Sequence, residues 1–257
     1  MNAKPKIGVI GVGHLMFHVV PGIMRASEKP DLLLGPRNAE RARQLSERFD
    51  VPVAASNEDV VEKSDIVIVA VRPFQVEEVI ANLPWRADQI VLSFAATVGS
   101  DVYAPHVNGA RVALAMPVVS AEFGESPTCI FPDIPEARAL LEPCGSVVPL
   151  AKEEDFATAS TFGAYFGWVQ TIIAHAADWA EKEGLSPEAA RAMAAGMMRA
   201  GTTSVTMRPD DSLEELVQEL CLPGSLTGEG IEILEKGDAF APWSDALDRI
   251  FERIKSE

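Results

Sequence analysis

Residues 7–13 read Ile-Gly-Val-Ile-Gly-Val-Gly, and the chain becomes amphipathic directly afterwards at His14-Leu15-Met16. A short β-branched run that ends in Gly-x-Gly and enters a helix is how a Rossmann βαβ unit begins. The first glycine makes the tight turn and the second lets backbone approach a pyrophosphate. The third small residue of that fingerprint, which lets helix and strand pack closely, is replaced by Met16. A plain buried strand and turn carry the same few residues, so the reading depends on the pattern of the remaining chain.

From Lys6 to about Leu150, short apolar strands alternate with amphipathic segments, the order of βαβ units on a parallel sheet. Strands are predicted over 7–10, 32–34, 52–54, 66–71, 90–93, 112–116, 128–131 and 147–149, with helices near 15–27, 39–49, 58–62 and 76–82. Right-handed crossovers put the carboxyl ends of the early strands along one edge, where a dinucleotide binds. After Lys152 the texture changes to Ala, Met and Glu at helical spacing. Helices are predicted over 154–183, 187–203, 212–219, 226–235 and 243–255, broken at Pro223-Gly224 and Lys236-Gly237. The predicted fold is α/β, an N-terminal Rossmann dinucleotide-binding domain over 1–151 followed by an all-α domain over 152–257. Phe162, Phe166, Val169, Ile173 and Ala176 recur at three- and four-residue intervals, a stripe that either fills a core or pairs with a second subunit.

Charge narrows the partners. The 257 residues carry a net charge of −16, which argues against a nucleic-acid partner because phosphate binding needs a basic face. The excess is uneven: residues 1–150 hold 13 Lys+Arg against 18 Asp+Glu, and residues 151–257 hold 9 against 20. The less acidic part is the one predicted to take an anionic cofactor. The longest apolar run, 66–71, is too short to cross a bilayer and the first residues lack a signal-segment pattern, so no membrane partner and a cytoplasmic location are expected. Cys129, Cys144 and Cys221 are too widely spaced for a metal or redox motif and read as buried thiols. His14 and His18 stand at i, i+4, but Leu15 occupies the place of the zincin glutamate, and no metal is expected.

The second predicted strand ends in Leu34-Gly35-Pro36-Arg37-Asn38. A site for NAD places a carboxylate there for the ribose 2′-hydroxyl, whereas a site for NADP replaces it and sets an arginine nearby. Arg37 offers a planar, always-charged fork to a 2′-phosphate. The plainer alternative is a solvated arginine at a helix start, where the helix dipole disfavours it.

At this point the chain resembles the pyrroline-5-carboxylate reductase family. The residues that carry the likeness are Ile7 to Gly13, Ser56-Asn57-Glu58, Ala70-Val71-Arg72-Pro73, Ser93-Phe94-Ala95-Ala96, Met116-Pro117 and Pro223-Gly224-Ser225-Leu226-Thr227. The resemblance implies a Rossmann domain joined to a helical domain that forms a domain-swapped homodimer or a dimer-based homo-oligomer. It implies NADPH as cofactor, with Gly11, Gly13, His14, Leu15 and Met16 along the pyrophosphate. Pro36, Arg37 and Asn57 would hold the adenosine end, and Val71, Arg72, Pro73 and Ala95 the ribose and nicotinamide. The substrate would be a small imine, pyrroline-5-carboxylate reduced to proline, near Met116, Pro117, Gly224 and Ser225 and beside the late loop of a partner subunit. Thr227 matches the family threonine on the imine side and is the candidate catalytic residue. A helix N-cap is the alternative reading of Thr227, and the two are compatible.

The substrate-side motifs depart from the family pattern. Val118-Val119-Ser120 stands where the family continues Asn-Thr-Pro after Met116-Pro117. Thr161-Phe162-Gly163-Ala164-Tyr165-Phe166 replaces a small-residue motif, and Leu222-Pro223-Gly224-Ser225 replaces Ser-Pro-Gly-Gly. Fewer donors and more aromatics favour a more apolar imine over a small zwitterion. Two other readings stay open: a β-hydroxyacid-type dehydrogenase, which needs a lysine on the long helix where residues 156–180 have none, and a sensor that binds NADP(H) without turnover.

Overall fold

The computed structural model describes residues 4–256. Its strands are β1 (Lys6–Ile10), β2 (Asp31–Leu34), β3 (Ile66–Val69), β4 (Ile90–Ser93), β5 (Arg111–Met116), β6 (Thr128–Phe131) and β7 (Val147–Pro149). Its α-helices are α1 (His14–Ile23), α2 (Ala39–Phe49), α3 (Asn57–Glu62), α4 (Val76–Ile80), α5 (Ser100–Tyr103) and α6 (Pro135–Leu141), then α7 (Asp155–Lys182), α8 (Pro187–Thr206), α9 (Leu213–Gln218), α10 (Leu226–Lys236) and α11 (Ala241–Ser256). Two compact units form. One runs to Gly163 and takes in the chain end from Arg253, and the other is Ala164–Glu252.

Among the described residues, the first unit holds one sheet in the order β2-β1-β3-β4-β5-β6-β7. The Ile-Val-Ile-Val run of β3 is buried on both faces, as a central strand covered by helices on each side requires. Strands β2 to β5 run parallel, but β6 pairs antiparallel with β5, with Ala115 opposite Ile130, which corrects the all-parallel expectation. The reason is local. The β5–β6 connection holds only a 3-10 turn at Val119–Phe123 and no crossover helix, so the chain doubles back. The strand predicted at 52–54 is reduced to one bridge, Val53 with Leu34, because Pro52 has no N–H to donate and Val53 is exposed at the sheet edge.

Helix α1 ends at Ile23 rather than near Ser27, passing into tighter turns in which the Arg25 and Ala26 N–H groups bond three residues back. Met16 is fully buried in the main apolar core with Val9, Ile68 and Leu92. Short α5 and α6 carry too little periodicity to be read in advance.

The helical unit follows the predicted pattern to within a few residues at each helix end. Its burial does not resemble a finished core. Of its large apolar side chains only Leu216 is buried, while Leu226 is 87% exposed, and Met207, Leu213, Trp179 and Ile233 also face outward. On the α7 stripe, Phe162 is exposed and Phe166, Val169 and Ile173 are half-buried. An apolar surface this extensive marks an association face. No helix among the described residues is long and apolar enough to cross a membrane.

Candidate functional site

The turn after β1 is built by sterics. Gly11 sits at φ +94°, and a Cβ there would lie 2.6 Å from the Ala70 carbonyl oxygen, so only glycine fits. Its carbonyl accepts the Gly13 N–H at 2.8 Å, which closes the turn and starts α1. Gly13 differs: a Cβ there would meet nothing within 4 Å, so its bare backbone faces open space. Gly13 caps α1 without a side-chain bond and the first turn holds no acidic residue, leaving the His14, Leu15 and Met16 N–H groups for an anion. The Met16 side chain points into the core, so this residue offers a ligand only its backbone N–H.

A cleft of about 680 Å³ opens at this turn, lined by Gly11 to Leu15, Arg37, Asn38, Arg41, Ala70, Val71, Arg72, Phe74, Gln75 and Phe94. Pro36, Arg37 and Asn57 line an adjoining cleft of about 440 Å³, so Arg37 stands between the two. Gly35 packs against β1, with its N–H on the Val9 carbonyl at 2.7 Å and no room for a Cβ. Among the described residues, Arg37, Arg41 and Arg72 make no ion pair, although the chain carries 38 Asp and Glu. Three unpaired guanidinium groups around one cleft suit a polyanion. Sequence reading missed Arg41, although its place one helical turn after Arg37 was a usable signal. Phe74 and Gln75 had none.

His14 stands at the mouth of the cleft with its ring edge-on to His18 at 5.0 Å. His18 Nδ1 bonds Glu122 Oε2 at 2.7 Å, so this second histidine is held by a carboxylate. Ala95 and Pro117 are buried, and Val71, Pro73 and Met116 are half-buried. Beside Ala95, the Ser93 Oγ and Tyr103 hydroxyl lie 2.6 Å apart, and burial pushes the Tyr103 phenol up to about 12.

The late loop lies in the helical unit. Gly224 takes φ +78° and Ser225 caps α10, its Oγ accepting the Gly228 N–H at 3.0 Å. This corrects the N-cap reading of Thr227, which occupies the first turn of α10 with an exposed side chain and no hydrogen bond among the described residues. A groove of about 700 Å³ beside it is lined by Gly224, Ser225, Gly228 and Cys221. Cys221 is therefore half-buried, unlike Cys129 and Cys144, and the expectation of three buried thiols holds for two. Tyr165 meets Trp243 edge-on at 5.6 Å, and both meet Trp168.

A mostly parallel α/β sheet with this glycine turn, an open helix start and an arginine-lined cleft defines an NADP oxidoreductase of Rossmann type. Residues 6–97 match the family model described as NADP oxidoreductase coenzyme F420-dependent, and residues 153–257 match pyrroline-5-carboxylate reductase dimerisation. The chain is a relative of the pyrroline-5-carboxylate reductases along nearly its whole length. It is 26% identical to a pyrroline-5-carboxylate reductase of Methanosarcina acetivorans over 97% of each chain. The fold is similar to that of 1-pyrroline-5-carboxylate reductase from Streptococcus pyogenes, with a TM-score of 0.85 and 24% identity over 99% of each chain. It is also similar to Plasmodium falciparum pyrroline carboxylate reductase with NADP bound, with a TM-score of 0.84 and 20% identity over 98% of this chain and 97% of that one.

Proposed function

We propose that this protein reduces pyrroline-5-carboxylate to proline with NADPH. The observation that carries the reading is the open backbone at Gly13 beside Arg37 and Arg41, cations that lack a carboxylate partner among the described residues. The residues fit the cofactor: a Cβ-free approach for the pyrophosphate, three free N–H groups at α1, and a guanidinium pair where a 2′-phosphate distinguishes NADPH from NADH. Residues 1–151 form the cofactor domain and 152–257 the dimerisation and substrate domain. The protein acts as a homodimer in which the second copy covers the exposed apolar face of the helical unit.

When bound, NADPH supplies a hydride to the imine carbon, and a proton completes the amine at nitrogen. The chain's own part is binding and orientation. Gly11 to Met16 hold the pyrophosphate by backbone, Pro36, Arg37 and Asn57 hold the adenosine end, and Val71, Arg72, Pro73 and Ala95 set the ribose and nicotinamide. Met116 and Pro117 would shape the substrate side from the copy that holds the cofactor, while Gly224 and Ser225 would come from the late loop of the partner copy, whose Thr227 hydroxyl would donate to the imine side.

Val118, Phe162 and Tyr165, which replace polar or small residues of the family pattern, favour an imine with more apolar surface than pyrroline-5-carboxylate as a second substrate. Steady-state NADPH oxidation with pyrroline-5-carboxylate and a panel of cyclic imines tests both readings. Consumption of NADPH with at least one imine supports the reductase. Tight NADPH binding with no turnover on any of them identifies a cofactor-binding sensor and overturns it.

A further inference from the structure

The loop that leaves β4 is clamped at both ends by groups that do not line the cleft. At its start, Ser93 Oγ accepts the Ala95 N–H at 3.2 Å and is itself held 2.6 Å from the Tyr103 hydroxyl, a fully buried side chain on α5. At its end, the Glu153 carboxylate accepts the Ser100 N–H at 2.7 Å with one oxygen and the Ser100 hydroxyl at 2.6 Å with the other. Between the clamps Thr97 is held at φ +69°, a left-handed conformation that a β-branched residue rarely adopts. Such a residue keeps its place only where its surroundings over-determine it.

The sheet order gives this loop its meaning. The glycine turn lies at the end of β1 and Arg37 just past the end of β2, so in the proposed site pyrophosphate and adenosine would take that side. The other half of a dinucleotide then runs over the ends of β3 and β4. Phe94, the first residue after β4, lines the same cleft as Gly11 to Leu15. We propose that Tyr103 and Glu153 are positioning residues for the nicotinamide half of the cofactor, holding the Phe94–Gly99 loop as a preformed wall without touching the cofactor themselves. This rests on the reading of the cleft as an NADPH site. A wall already in place spares binding the cost of ordering the loop, and only the half of the ligand that meets the loop gains.

The test is calorimetric titration of the full-length protein and its Tyr103→Phe, Glu153→Ala and Glu153→Gln variants with NADPH and with 2′,5′-ADP, which lacks the nicotinamide. Tyr103→Phe and Glu153→Ala are expected to weaken NADPH about 3- to 10-fold, the range of one lost hydrogen bond, with 2′,5′-ADP within about 2-fold of wild type. Glu153→Gln keeps one acceptor oxygen and should fall between Glu153→Ala and wild type. Equal weakening of both ligands marks a purely structural role and overturns the proposal, as does unchanged NADPH binding. If the wild-type protein binds neither ligand, the cofactor reading fails and takes the clamp with it.

Discussion

The Oγ of Ser225 accepts the Gly228 N–H at 3.0 Å, so the cap of α10 belongs to Ser225 and leaves the Thr227 hydroxyl uncommitted in the first turn of the helix. The two hydroxyl groups therefore separate stability from chemistry. Ser225→Ala should lower unfolding stability by about 1 kcal/mol, the usual cost of a lost cap. Thr227→Ala should leave the denaturation midpoint within the roughly 0.5 kcal/mol of an ordinary surface change and cut kcat/KM for the imine by about 10²- to 10³-fold, with Thr227→Ser retaining most activity. Urea unfolding and steady-state kinetics on both variants check this. Full activity in Thr227→Ala would remove it from the mechanism.

The two glycines of the first turn should fail in different ways. Gly11→Ala forces a Cβ against the Ala70 carbonyl at a positive φ and should destabilise the fold by more than about 1 kcal/mol. Gly13→Ala meets nothing in the protein, so it should keep its melting temperature and lose NADPH affinity. Thermal unfolding with and without cofactor separates the two outcomes. Unchanged NADPH binding in Gly13→Ala would count against the pyrophosphate path.

Arg37→Ala should weaken NADPH by about 10- to 150-fold, the loss of a charge-assisted hydrogen bond, and change NADH little. Arg41→Ala should act in the same direction, because its guanidinium lines the same cleft. Competitive binding of the two cofactors to each variant is the measurement. Equal weakening of both would assign the arginines to structure.

Alkali should unfold this protein before mild acid does anything comparable to its core. Burial pushes the Cys129 thiol up to about 11, the Cys144 thiol to about 12 and the Tyr103 phenol to about 12, from ordinary values of 9.0, 9.0 and 10.0. Each group ionises first in the unfolded chain. Their contribution is therefore complete below pH 9 and lost as pH rises toward 12, at about 1.4 kcal/mol for each pH unit that separates a group's folded and unfolded ionisation. Urea midpoints should fall steadily across that window, less steeply in Tyr103→Phe. A flat profile would contradict the burial of these groups.

Light scattering should give a dimer at assay concentration, because the helical unit exposes Leu226, Met207 and Trp179 that a single copy leaves uncovered. An active monomer would contradict the dimer.

Much of this protein was legible in its sequence because the signals are local. The alternation of β-branched runs with amphipathic segments, the glycine spacing after β1 and the arginine after β2 each depend on residues within a few positions of one another. The same holds for the long α7, whose extent the periodicity anticipated closely. Tertiary structure decided what depends on partners far along the chain. It reversed β6 because the 117–127 connection has no crossover helix, and it reduced residues 52–54 to a single bridge at an edge. It turned the Met16 side chain into the core, gave the cap to Ser225, added Arg41 to the cleft, and joined Ser93 to Tyr103 and Ser100 to Glu153. Spacing in sequence determines which face a residue takes on its own helix or strand. Which group it meets across a sheet edge or a loop is set only when the chain closes on itself.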